Sequence, residues 1–391
     1  MWRLGSAVAG MRRLAWGGRR RAVTASLDAG GQAVSSRPVG RNAVSNWLFA
    51  CSGMVAGTIV VGGITRMTKS GLSMVDWKPH GQRPPMSQTE WEAEFDKYKQ
   101  YPEYQRTNRS MTLGQFKSIY YMEWMHRMLG RAIGVVFAAP FVYFAARGAL
   151  SKPLTLKLTV LLAAGAAQGG IGWWMVKSGL EQPKNHYDEP RVSPYRLAAH
   201  LTSAFLIYVG LLHTALSCRA TPLLVMSAAP PMFRRSAIAV SKLVFFTAVS
   251  GAFVAGNRAG LVYNEFPFMG NGFIPDDIRH PELESQPWRN CFENSSLVQF
   301  EHRALAMLTT VSIVGLFLLS RRLPLSSTTK KATSALLGVC AGQVTLGIST
   351  LLTFVPTELA AMHQAGSVLL LSSSIVLLRT MRKAYPDTPS N

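Results

Sequence analysis

Eight histidines punctuate the chain, and four of them stand where imidazole chemistry has most use. His126, His200, His302 and His363 each lie near the start of an apolar run, in Glu123-Trp-Met-His126-Arg127, Leu197-Ala-Ala-His200, Gln299-Phe-Glu-His302-Arg303 and Leu359-Ala-Ala-Met-His363. A lone histidine in such a run is often a hydrogen-bonded packing residue. Four at matched depth, in matched pairs, point instead to function, because polar groups inside a membrane are costly. Two facing imidazoles at one depth suit axial ligation of a haem iron. Ala198, Ala199, Ala360 and Ala361 allow a flat macrocycle to approach the backbone, and Arg127 and Arg303, directly after two of the histidines, suit pairing with propionates. His80, His186 and His280 lie in polar loops and read as solvated, and His213 sits late in its run without a counterpart.

A di-iron site is disfavoured, since it needs Glu-x-x-His from two helices. Glu123 and His126 make one such motif, and the second half has Gln299 at the matching place. Three residues apart, Glu123 and His126 share a helix face. An acid there can accept protons or orient water, which Gln299 cannot. The bland reading is that Glu123 pairs with Arg127 or Arg131 on its own helix. The halves read as specialised: an N-terminal one with acid–base capacity and a C-terminal one that holds a cofactor.

The elements that carry these residues are membrane helices. Of 391 residues 48% are hydrophobic and only 16% charged, too apolar a balance for one soluble core. The net charge of +21 invites a nucleic-acid reading, which fails because the basic residues sit between apolar runs and at the N-terminus. Eight runs near 44–66, 121–147, 156–177, 195–217, 236–258, 299–320, 333–354 and 359–379 are long enough to span a bilayer. The connections holding Arg147, Lys152 and Lys157, then Arg219, Arg234 and Arg235, then Arg321, Arg322, Lys330 and Lys331, contain no acid. The positive-inside rule puts them and both termini on one side, with the longer loops 67–120 and 259–298 opposite. Residues 1–43 are Arg-rich with the single acid Asp28, the composition of a mitochondrial transit peptide. Both termini then lie in the matrix and the longer loops face the intermembrane space. The four cysteines have no metal-type spacing, and no disulfide framework is expected.

The second half echoes the first. His126 and His302 are 176 residues apart, the Gln168-to-Gly172 and Gln343-to-Gly347 segments 175, and His200 and His363 163. Gly71-Leu72 corresponds to Gly260-Leu261. Four helices per half make the repeat parallel. The expected fold is an all-α membrane protein, eight transmembrane helices forming two pseudo-symmetric four-helix bundles. Its divisions are a leader (1–43), an N-terminal bundle (44–217), a matrix linker (218–235), a C-terminal bundle (236–379) and a matrix tail (380–391).

With these residues in place, the chain resembles haem A synthase, in the mitochondrial branch of that family, over nearly all its length after the leader. The matching segments are Gly62-Gly-Ile-Thr-Arg66 to Asp76-Trp77, Tyr121-Met-Glu123-Trp-Met-His126-Arg127, Trp174 to Leu180, Tyr195 to His200, Ala252 to Gly256, Tyr263 to Pro267, Phe300-Glu-His302-Arg303 and His363. The resemblance implies oxidation of the C8 methyl of haem O to a formyl group, giving haem A for cytochrome c oxidase. It implies that His126 and His200 flank the substrate haem, Glu123 assists catalysis, and His302 and His363 ligate a resident haem b. Arg66 joins Arg127 and Arg303 as a candidate propionate partner. The implied partners are haem O, an electron-transfer protein such as a ferredoxin, a haem O synthase, lipid and a further copy of the chain. Some bacterial members carry cysteine pairs in the outward loops; here loop 67–120 has none and loop 259–298 has only Cys291, so no cysteine-dependent step is expected. Competing readings are a di-haem b-type electron-transfer protein and a haem chaperone or assembly factor.

Overall fold

Apolar runs set where the chain crosses lipid, and caps set where its helices stop. The structure, a computed structural model, describes residues 40–182, 189–219 and 229–381. The expected leader up to residue 39, His186, most of the 218–235 linker and the tail after 381 lie outside the described residues. The helices are α1 (Arg41–Met67), α2 (Gln88–Lys99), α3 (Pro102–Arg106), α4 (Leu113–Ala146), α5 (Lys152–Leu180), α6 (Pro194–Cys218), α7 (Pro231–Asn257), α8 (Pro287–Glu293), α9 (Ser295–Arg322), α10 (Ser327–Leu352) and α11 (Thr357–Thr380). Among the described residues eight helices are long and apolar enough to cross a membrane: α1, α4, α5, α6, α7, α9, α10 and α11. Proline in the first turn of α5, α6 and α7 starts those helices without losing an internal hydrogen bond.

Each half closes a ring. In the first, α1 packs on α4 and α6, and α5 packs on the same two. In the second, α7 packs on α9 and α11, and α10 on the same two. The rings meet where α1 and α6 face α7 and α11. Lipid tails are as apolar as leucine, so packing and interhelical hydrogen bonds hold such rings together. Across the meeting face Gln364 Nε2 donates to Ile59 O at 2.8 Å, Tyr208 and Ser372 share a 2.6 Å hydroxyl bond, and Arg66 Nη2 donates to Ala255 O at 2.7 Å. Burial follows position: 39% of the most apolar stretch of α6 is buried, against 6% in the peripheral α5. Past the ends of α1 and α7, Lys69 (φ 51°) and Arg258 (φ 55°) adopt left-handed backbone at places 189 residues apart, and both pair with Glu189. The spacing equals that between Gly71 and Gly260.

Two boundaries differ from the sequence expectation. Helix α4 has 34 residues, about 51 Å at 1.5 Å per residue, well over the ~30 Å of a bilayer core. Its start is fixed by a capping box between Thr112 and Gln115, eight residues before the apolar run, so His126 lies well inside α4 rather than in its first turns. The loop expected at 67–120 is also partly helical. Trp91, Phe95 and Tyr98 of α2 pack with Met74, Phe116 and Tyr120 into a small aromatic core beside the membrane end of α4. Phe95 stacks on Phe116 at 4.9 Å and Trp91 meets Tyr120 edge-on at 5.2 Å.

Candidate functional site

The four histidines fall on the four helices that begin at the loop face, opposite the two ends of the helical region: His126 on α4, His200 on α6, His302 on α9 and His363 on α11. His126 lies within electrostatic reach of His200, and His302 of His363, so each ring holds one pair. Every imidazole edge faces a glycine on a neighbouring helix. A Cβ added at Gly62 would sit 2.7 Å from His126 Cε1, at Gly172 2.9 Å from His200 Cε1, at Gly251 3.4 Å from His302 Cε1 and at Gly347 2.8 Å from His363 Cε1. The glycines let the ligand helices approach closely. Gly62 and Gly251 are again 189 residues apart, and Gly172 and Gly347 are 175.

Polar neighbours fix the rings. Gln168 Nε2 reaches His200 Nδ1 at 3.2 Å and donates to His200 O at 2.9 Å, and Gln343 Nε2 donates to His363 O at 2.9 Å. Ser250 Oγ meets His302 Nδ1 at 2.7 Å. Contacts on Nδ1 leave Nε2 of His200 and His302 for a metal, the arrangement expected of an oriented ligand. Nδ1 of His126 and of His363 is buried with no hydrogen-bond partner. Among the described residues no group of three or more His, Cys, Asp or Glu gathers to hold a bare ion. Two axial imidazoles suffice for iron already bound by a macrocycle.

Glu123, 2% exposed, is enclosed by donors. Its Oε2 accepts from Ser73 Oγ at 2.7 Å and Met74 N at 2.8 Å, and its Oε1 accepts from Arg127 Nε at 3.1 Å and Nη2 at 2.6 Å. Arg127 also donates to Met74 O and Asp76 O at 2.7 and 2.9 Å, tying the loop back onto α4. Arg131 instead donates to Lys78 O and Pro79 O. The second half repeats this with an amide. Gln299, 3% exposed, donates to Ala259 O at 2.8 Å and Tyr263 O at 3.1 Å and accepts from Arg303 Nη2 at 3.2 Å. Arg303 reaches Tyr263 O and Phe268 O. All three nitrogens of Arg127 are therefore engaged by protein, whereas Nε of Arg66 and of Arg303 is buried and unpartnered.

One seam differs between the halves. Between α9 and α10, Cys340 Sγ contacts Thr310 Oγ1 at 3.8 Å. The corresponding residues of α4 and α5 are Gly134 and Gly165, with Gly169 in the place of Val344, and a Cβ at any of the three would meet open space. His213, unpaired in the repeat, has Lys157 Nζ 3.3 Å from its Nδ1.

With this geometry in hand, the model of the family COX15-CtaA, described as cytochrome oxidase assembly protein, matches residues 45–375. The chain belongs to this family. Among its COX15-CtaA relatives, "Heme A synthase COX15" of Arabidopsis thaliana is 47% identical over 366 residues, covering 90% of this chain and 78% of that one. The Homo sapiens protein of the same name is 49% identical over 342 residues, with 87% and 83% covered. A "Heme A synthase-mitochondrial ferredoxin fusion protein" of Schizosaccharomyces pombe is 39% identical over 396 residues, with 94% and 64% covered. The matched span of this COX15-CtaA member runs from α1 into α11 and takes in all four histidines.

Proposed function

We propose that the chain is a haem A synthase of the mitochondrial inner membrane, an oxidoreductase that converts the C8 methyl of haem O to a formyl group. The observation that carries the division of labour is the pair of buried imidazoles in each ring with an acid, Glu123, beside one and an amide, Gln299, beside the other. His126 and His200 flank the substrate haem. His302 and His363 hold a resident haem b, with Ser250 orienting His302. The open glycine seam between α4 and α5 supports this assignment, because a substrate must enter and a product leave, whereas the filled α9–α10 seam suits a group that stays. Bound haem iron supplies one-electron redox chemistry.

The chain's own residues do the rest. Arg127 holds Oε1 of Glu123 and fixes the carboxylate, and Oε2, held by Ser73 and the Met74 N–H, is the oxygen that takes a proton. Propionate pairing falls to Arg66 and Arg303, whose buried Nε groups lack partners, since Arg127 is committed to Glu123 and the loop. The two rings correspond to the expected bundles, with both termini in the matrix and the histidine pairs toward the intermembrane space. The ferredoxin fused to the fission-yeast relative supports a ferredoxin-type electron partner. A hydrophobic intermediate passing between enzymes favours contact with a haem O synthase.

Chromatography of haems extracted from membranes that make haem O, with and without this protein, tests the reading. Haem A or its hydroxylated precursor should appear only with the protein. Bound haem with no new haem species, redox partners being present, would instead mark an electron carrier or a chaperone.

A further inference from the structure

One buried titratable group lies outside the histidine pairs and has no role in the chemistry above. Glu103 sits in the first turn of α3, in the loop between α1 and α4, and is 7% exposed. Its carboxylate accepts a hydrogen bond from Tyr98 Oη at 3.0 Å, and Asn108 Nδ2 donates to the same phenol oxygen at 2.7 Å. Tyr98 is fully buried and stacked on Phe116 at 5.3 Å, so its hydroxyl is held in place. The Glu103 carbonyl is pinned by the backbone N–H groups of Thr107 and Asn108.

The charged and titratable groups facing Glu103 come from four elements. They are Tyr98 of α2, Glu123 of α4, Arg66 and Lys69 at the end of α1, and Arg258 past the end of α7. Tyr98 also lies within electrostatic reach of Glu123. The charge of Glu123 is matched by Arg127, while among the described residues Glu103 forms no ion pair. Burial pushes the Glu103 carboxyl up to about 7, and the charge of Glu123 adds to that, against the Tyr98 hydrogen bond and the charges of Lys69 and Arg258. A carboxyl in that range takes up and gives back a proton in neutral solution at little cost.

The proposed reaction must move protons. With water as oxygen source, R–CH3 + H2O gives R–CHO, four protons and four electrons. With dioxygen as source, protons are consumed as the second oxygen atom leaves as water. In either case protons pass between the N-terminal pair and bulk water, and Glu123 is shut in by Ser73, Met74 and Arg127. We propose that Glu103 is the proton relay of the N-terminal half, exchanging a proton with Glu123 and with solvent at the loop face. The transfer is Glu123–COOH + Glu103–COO⁻ ⇌ Glu123–COO⁻ + Glu103–COOH, and it runs in either sense. The inference rests on the reading of that half as the oxidising one.

The test is haem A formation from haem O by the full chain in membranes, followed from about pH 5.5 to 8.5 for wild type, Glu103→Gln, Glu103→Asp and Tyr98→Phe. Wild type should show an inflection near pH 7. Glu103→Gln keeps an acceptor for Tyr98 but cannot titrate, so the rate at neutral pH should fall about tenfold or more and the inflection should vanish. Glu103→Asp should restore it. Tyr98→Phe removes a donor to the charged form and should move the inflection upward, which a purely structural role for Glu103 does not predict. Haem retained on His302 and His363 should be unchanged throughout. An unaltered rate and inflection in Glu103→Gln would overturn the relay, as would an unmoved inflection in Tyr98→Phe should the Gln variant not fold. Wild type that binds haem yet makes no haem A would overturn the enzyme reading itself.

Discussion

Replacing Glu123 by Gln tests the division between the two halves at its most sensitive point. The variant is nearly isosteric and imports the arrangement that Gln299 already has beside Arg303. It is not neutral in the N-terminal setting. Glu123 accepts four hydrogen bonds, two of them from Arg127, whose side chain is 13% exposed. Removing one partner of a buried pair costs about 3–5 kcal/mol, chiefly because the other charge is left uncompensated. The new amide also turns a donor toward either the Met74 N–H or the guanidinium. Against a typical stability of about 5–15 kcal/mol the protein should still fold, with a lowered melting temperature. The loss in rate is larger: removal of a general base slows a reaction by about 10²–10⁴-fold. The assay is haem A formed per mole of folded protein in membranes supplied with haem O, with bound haem b quantified on the same sample. Haem b should be kept, since Gln299, Arg303 and Ser250 are untouched. Wild-type haem A formation by Glu123→Gln would refute the proton role, and loss of haem b would refute the independence of the halves.

Further outcomes follow from the same geometry. Gly347→Ala places a methyl 2.8 Å from His363 Cε1 and should lower haem b retention, whereas Gly62→Ala, 2.7 Å from His126 Cε1, should lower haem A formation with haem b kept; absorbance of the purified variants and extracted-haem chromatography read the two. Ser250→Ala removes the 2.7 Å contact on His302 Nδ1 and should weaken haem b binding about 10–100-fold, measured by haem titration of the stripped protein. Burial raises Glu103 to about 7, above its ordinary carboxylate value, so its neutral form is favoured in the fold and stability falls as pH rises from the ordinary value through 7. Glu103→Gln should therefore match wild type in thermal unfolding near pH 4 and exceed it by up to about 3 kcal/mol near pH 8.

Much of this was legible before any coordinates. Apolar runs of bilayer length located all eight spanning helices, because lipid leaves helices as the way for a single segment to satisfy its backbone. The histidine spacings separated the two pairs, and the Gln-to-Gly segments pointed at the residues that anchor and face His200 and His363. What composition does not encode is where a loop folds back. The bonds from Arg127 to Met74 O and Asp76 O depend on that return and remove this arginine from the expected propionate partners. The start of α4 was readable from Thr112 and Gln115, a capping pair that a search for apolar runs passes over. Likewise Trp91, Phe95 and Tyr98 carry helical spacing within a polar loop and mark α2. Glu103 had no such signal: an acid among charged neighbours reads as solvated until the aromatic core beside it is seen.

The central claim is that the two histidine pairs do different work. Its most direct test is to purify His126→Ala and His302→Ala from membranes making haem O and to measure both bound haem b and haem A formed. His126→Ala should keep haem b and make no haem A, and His302→Ala should lose haem b. Loss of haem b from His126→Ala with full retention in His302→Ala would contradict the assignment.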